Sequence, residues 1–207
     1  MCIRDSSKSG VTVSKDNQAN DGRSGTDADN IRPDIERFYG SPFNDLVFGS
    51  DDNVVERYVM AGGDDFVAGN GGPDMFEMLH VDDGSDLYVG GAGFDTALYA
   101  DRTEPVTVNL SAGGADDGYA GEGDELREIE AAAGGKTNDV LRANVASTTA
   151  VQLNGNAGND IITGTNADAP CCGTDDTLIG GAGRDTITAL AGEDAILVQD
   201  GESASCP

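Results

Sequence analysis

Residues 171–197 read CCGTDDTLIGGAGRDTITALAGEDAIL, three nine-residue units in one register, with Asp176, Asp185 and Asp194 at the sixth position. Working outward, the same unit appears as GNAGNDIIT at 155–163, ending its turn on Asp160, and as GGKTNDVLR at 134–142. Nearer the N-terminus it appears as GSPFNDLVF (40–48), MAGGDDFVA (60–68), GNGGPDMFE (69–77), VDDGSDLYV (81–89) and GGAGFDTAL (90–98). These windows are aligned on Asp, so the Asp itself proves nothing. The eighth position was not chosen, and it is apolar in all ten: Val47, Val67, Phe76, Tyr88, Ala97, Leu141, Ile162, Leu178, Ile187 and Ile196. The fourth is Gly in seven of ten. In a chain that is 38% apolar with 30 Gly in 207 residues, that coincidence requires a real repeat.

A longer period encloses the short one. VTV at 11–13 returns at 106–108, ANDG at 19–22 returns as ADDG at 115–118, and GGDDFVAG at 62–69 returns as AGNDIITG at 157–164. The chain therefore divides into a first module, 11–103, and a second, 104–198, flanked by 1–10 and 199–207. MCIRDS resembles a read-through scar, so residues 1–10 are expected to be unstructured, 199–207 to be a truncated tail, and the whole to be a fragment.

The nonapeptide resembles G-G-x-G-x-D-x-U-x, the repeat of the RTX, or haemolysin-type calcium-binding, family. The resemblance implies an all-β fold, a right-handed parallel β-roll or β-helix of nonapeptide turns. With ~18 residues per coil, each module holds about five coils and stands roughly 25 Å tall. It also implies a secreted, extracellular or cell-surface protein that leaves the cell poorly folded through an exporter and orders in external calcium. One ion is shared by turns two nonapeptides apart, on one side of the roll.

The residues themselves support calcium. Gly at positions 1, 2 and 4 allows positive φ and leaves carbonyls uncovered, and Asp at position 6 places a short carboxylate at the turn exit. Stacked coils bring equivalent Asp residues near the ~4.8 Å strand spacing, where they repel unless a cation lies between them. Carboxylate and carbonyl oxygens suit Ca²⁺; Mg²⁺ wants a stricter octahedron, and Zn²⁺ wants His or Cys. The ligands that the resemblance implies, with one ion shared between turns two nonapeptides apart, are Asp65 paired with Asp86, Asp74 with Asp95, and Asp176 with Asp194, together with Asp160 and Asp185. The first two pairings require Met78–His80 to loop out. Asp45, Asp139 and Asp160 end isolated repeats and are weaker candidates. The plainer alternative is a metal-free β-helix, against which the net charge of -26 argues through self-repulsion.

The acidic loops 19–30 and 115–126 contain Asp21, Asp27, Asp29, Asp116, Asp117, Glu122 and Asp124, which are candidate ligands for further ions; their spacing is unlike an EF-hand, and the favoured expectation is solvated protrusions. Ile35, Phe38 and Ile129 are assigned to the core. Cys2, Cys171, Cys172 and Cys206 show neither a metal spacing nor a disulfide framework.

Composition removes other classes. With 38 acidic residues against 12 basic, the surface does not suit a nucleic-acid backbone. No apolar run approaches the ~20 residues of a membrane span. His80 is the sole histidine and lies outside any H-E-x-x-H, and GRSG at 22–25 lacks the final glycine of a nucleophile elbow. The expectation is a non-catalytic calcium-binding protein. It serves either as the secretion or stability module of an exported protease or lipase, or as part of a repetitive adhesin, with the catalytic or adhesive domain upstream.

Overall fold

The computed structural model describes residues 2–4, 9–23, 27–79, 84–111, 113–147, 149–166 and 175–198. His80, Asp168, Cys171, Cys172 and Cys206 lie outside them, as does the tail 199–207. Nineteen strands, β1–β19 in chain order, form among the described residues. Most are three residues long, the length that a nine-residue unit leaves after its six-residue turn.

One face is a single nine-stranded sheet: β1 (Cys2–Arg4), β3 (Arg37–Tyr39), β5 (Arg57–Val59), β7 (Met75–Glu77), β9 (Thr96–Leu98), β13 (Ala131–Ala133), β15 (Gln152–Asn154), β17 (Thr177–Ile179) and β19 (Ala195–Leu197). The opposite face is divided in two. Its first sheet stacks β2 (Thr12–Ser14), β4 (Leu46–Phe48), β6 (Phe66–Gly71), β8 (Leu87–Ala92) and β12 (Glu125–Arg127). Its second stacks β11 (Gly118–Tyr119), β10 (Val106–Asn109), β14 (Val140–Arg142), β16 (Ile161–Thr163) and β18 (Thr186–Thr188). All strand pairs are parallel except β10 with β11. This is the expected all-β, parallel β-solenoid, consistent with a β-roll.

Register follows the nonapeptide. Pairing is in phase from coil to coil, as in Val47↔Val67↔Tyr88 and Leu153↔Leu178↔Ile196, so every eighth-position side chain falls on its equivalent. The strand period of two points that residue inward and its neighbours outward. Eight of the ten are fully buried; Ile187 and Ile196, in the last two strands, are partly exposed. Tyr58 stacks on Phe76 and Phe76 packs on Tyr88, both at 5.5 Å between ring centroids. Burial of one such side chain contributes about 1.5–3 kcal/mol, so the core is a column of small equal contributions. Ile35, Phe38 and Ile129 are buried in it, as expected.

Two expectations are corrected. Residues 2–4 are not unstructured: β1 pairs with β3 as Cys2↔Arg37, Ile3↔Phe38 and Arg4↔Tyr39, because the outer edge of β3 offers unsatisfied backbone groups. Met78 does not loop out either. It is buried, and its N–H donates to the Leu98 carbonyl at 3.0 Å, extending β7 along β9. A thioether at that point fills the core better than solvent would. Among the described residues no helix is long and apolar enough to cross a membrane.

Candidate metal centre

Nearly every strand is entered through a carboxylate, and these side chains form a one-way ladder along each edge of the solenoid. On the edge leading into the divided face, the Asp45 N–H donates to Asp65 Oδ1 (2.7 Å), Asp65 to Asp86 (2.8 Å) and Asp86 to Asp124 (3.0 Å). Further along, Val106 donates to Asp139 (2.9 Å), Asp139 to Asp160 (2.8 Å) and Asp160 to Asp185 (3.0 Å). On the other edge, Glu56 donates to Asp74 (3.2 Å), Asp74 to Asp95 (2.8 Å) and Asp95 to Glu130 Oε2 (3.0 Å). There too, Val151 donates to Asp176 and Asp176 to Asp194, both at 3.0 Å. In each case the acceptor belongs to the next coil.

All eight expected residues sit on these ladders, with Asp65 beside Asp86, Asp74 beside Asp95, Asp160 beside Asp185 and Asp176 beside Asp194. Asp45, Asp139 and Asp160, ranked lower as ends of isolated repeats, are full members. The apolar eighth residue in their windows already signalled it. Glu56 and Glu130 were missed, and Asp124 was placed in an acidic loop instead of on a ladder. Glu56 and Glu130 close turns without the glycine spacing, and their signal is the three-residue strand that follows, RYV or AAA.

The first oxygen of each carboxylate is used by the neighbouring amide. The second oxygen of Asp74, Asp95 and Asp160 is buried without a hydrogen-bond donor. Each lies where the glycine opening its own turn would carry a side chain: a Cβ on Gly69, Gly90 or Gly155 would strike that oxygen and the first-position carbonyl oxygen of the next coil, from Gly90, Glu128 or Gly180. Position 1 is therefore glycine for room. None of the position-1 glycines has positive φ; among the glycines it occurs at later positions, such as Gly91 and Gly181 at the second and Gly158 and Gly183 at the fourth. The expectation that position 1 supplies positive φ is corrected.

Burial, together with the neighbouring Glu56 and Asp95 charges, pushes the Asp74 carboxyl up to about 8. Burial is also the main cause that raises Asp86, Asp95 and Asp160 to about 6. Such groups gain from a positive charge among them. Among the described residues no three His, Cys, Asp or Glu side chains converge on a metal position. A cation here would take a carboxylate oxygen from the ladder and the rest of its ligands from backbone carbonyls. That all-oxygen set fits Ca²⁺.

The acidic loops are corrected more sharply. Asp21, Asp117, Glu122 and Asp124 are buried, although Asp29 and Asp116 are exposed. Asp117 accepts the Asn109 and Leu126 amides at 2.5 and 3.1 Å, and Asp21 accepts those of Ser14 and Ile31 at 2.6 and 2.5 Å. These acids hold hairpins to strands instead of meeting solvent. Burial first, and the Asp116 and Glu125 charges beyond it, raise Asp117 to about 7 against those two bonds.

The family described as RTX calcium-binding nonapeptide repeat (4 copies) matches residues 79–97, 150–168 and 173–202. Those segments include Asp86, Asp95, Asp160, Asp176, Asp185 and Asp194. No curated protein matches the chain.

Proposed function

We propose that this chain, which carries RTX calcium-binding nonapeptide repeats and binds Ca²⁺ through them, uses the ion to fold and to stay folded outside the cell, without catalysing a reaction. Its carboxylate ligands are Asp65, Asp74, Asp86, Asp95, Asp160, Asp176, Asp185 and Asp194. The observation that carries this reading is the buried second oxygen of Asp74 and of Asp95 on one edge and of Asp160 on the other, each beside the glycine that opens its turn and a carbonyl of the next coil. A buried carboxylate is costly unless paired. A doubly charged ion between turns removes that cost at several coils at once, and binding to the folded form alone stabilises it by mass action.

Extracellular calcium sites have Kd values of about 10⁻⁴–10⁻³ M, which leaves them empty in the cytosol and filled outside. The coils that depend on the ion then stay loose until the chain is exported. The two modules, 11–103 and 104–198, then serve as the secretion or stability module of an exported protease or lipase, or as a segment of a repetitive cell-surface adhesin. Circular dichroism tests the reading: a β signal in chelator well below that in millimolar Ca²⁺, and no such gain in Mg²⁺. Identical spectra with and without calcium would sink it.

A further inference from the structure

Lys15 and Arg102 are the two basic side chains fully buried among the described residues, and both stand where the nonapeptide pattern breaks. On one edge, the turn 15–36 and the next turn, 49–56, lack the GGxGxD form. Between them the Lys15 ammonium donates to the Ile35 carbonyl (2.9 Å) and to Glu56 Oε1 (2.7 Å), and lies 5.0 Å from the centre of the Tyr58 ring. Glu56 Oε2 is in turn held by the Ser50 N–H and the Tyr58 hydroxyl. On the other edge, the turn after β9 also lacks the form. There the Arg102 guanidinium donates to the Met78 carbonyl (3.0 Å) and to Glu122 Oε1 (2.7 Å), and lies 5.9 Å from the Tyr99 ring centre. The Arg102 carbonyl accepts the Lys136 N–H of the following turn, so this residue also joins successive turns of one edge.

Each base thus meets a carboxylate oxygen and a backbone carbonyl from different turns, the same donor types that a calcium ion takes, with an aromatic face added. We propose that Lys15 and Arg102 are resident cations that replace calcium at these two breaks, so that the coils around them fold without metal. The coils of residues 149–198 contain no buried base among their described residues and depend on the ion. Calcium then extends an existing structure in place of nucleating one. For that contrast the inference rests on the calcium reading above.

Amide hydrogen exchange by mass spectrometry on the full chain in chelator, and again with calcium, tests it. In chelator, peptides covering 11–15, 56–59 and 99–126 are expected to keep protection, while those covering 152–163 and 177–197 exchange like unfolded chain. Calcium is expected to protect the latter. Lys15→Met and Glu56→Gln are each expected to abolish the calcium-free protection of 11–15 and 56–59 while leaving that of 99–126. Wild-type chain that exchanges uniformly in chelator overturns the proposal, and so does full protection retained in both variants. Should a variant fail to fold even in calcium, the wild-type map alone decides. A failure of the calcium reading is separately visible, as 152–163 and 177–197 gaining nothing from the ion.

Discussion

Gly155 and Leu190 show how much one side chain decides in these turns. Gly155 opens its turn where a Cβ would meet Asp160 Oδ2 and the Gly180 carbonyl. Gly155→Ala is expected to cost about 1–3 kcal/mol through overpacking and to raise the calcium midpoint, read by calorimetric titration. Leu190 holds the second position of ALAGEDAIL with φ at 71° and its side chain exposed. A γ-branched residue there carries a left-handed conformation that glycine adopts freely. Leu190→Gly is therefore expected to stabilise the calcium-bound protein by about 0.5–1 kcal/mol, measured as a higher urea midpoint. Asn70 and Asn156 occupy the same position with positive φ and donate to the carbonyls of Gly49 and Gly134, an accommodation that leucine lacks. Sequence reading found the glycines but gave those at position 1 the wrong reason. Space between stacked coils is a property of two turns together, and one turn's composition does not display it.

The hairpins are the elements that sequence reading placed worst. ANDG and ADDG looked solvated because acids in glycine-rich loops usually are. Their return after one long period was the available signal that both copies do the same work. Asp117 is clamped by two amides from different strands, and its backbone forms an antiparallel bridge with Asp124. Asp117→Ala would leave both amides without their acceptor, at about 1–3 kcal/mol each. Its neighbour Asp116 is exposed, and Asp116→Ala is expected to stay within about 0.5 kcal/mol. Urea unfolding of the two variants in calcium checks this, and equal midpoints would show that the clamp does not matter. The three-residue strands, by contrast, were legible from the nonapeptide. An apolar residue every nine positions leaves little choice of register, and Leu141 and Ile162 take the places their windows assign them.

At the scale of the whole molecule the dominant quantity is negative charge held close together, and its sign sets the pH response. Asp74 at about 8, Asp117 at about 7, and Asp86, Asp95 and Asp160 at about 6 all lie above the ordinary 3.8. The calcium-free fold therefore binds more protons than the unfolded chain between about pH 4 and pH 8, so its stability falls as pH rises through that window. Calcium reverses the dependence, because it binds the deprotonated carboxylates and releases their protons. In chelator, β structure by circular dichroism is expected to be greater near pH 4.5 than at pH 8. In calcium the midpoint concentration is expected to rise as pH falls. A chelator spectrum that gains structure toward pH 8 would refute the assignment of raised carboxylates. The long period predicted two modules, but it did not reveal that β9 pairs directly with β13, carrying one sheet across residue 103, or that β12 of the second copy closes the first copy's sheet on β8. Strand partners across an insertion depend on how far the hairpin displaces the chain, and no local pattern encodes that distance.

One face is an unbroken strap of nine strands, whereas the other is interrupted at the hairpin that carries β11. Loaded along its axis, such a body is mechanically lopsided. Tension passes residue 103 through the backbone bonds between β9 and β13, while the far side is joined through a hairpin in which β11 pairs with β10 over two residues and Asp117 bridges Asp124 alone. Flexure concentrates at that seam and the strap resists stretch. A solenoid built this way is expected to bend more readily toward one side than the other, with the acids pinning the hairpin setting its compliance.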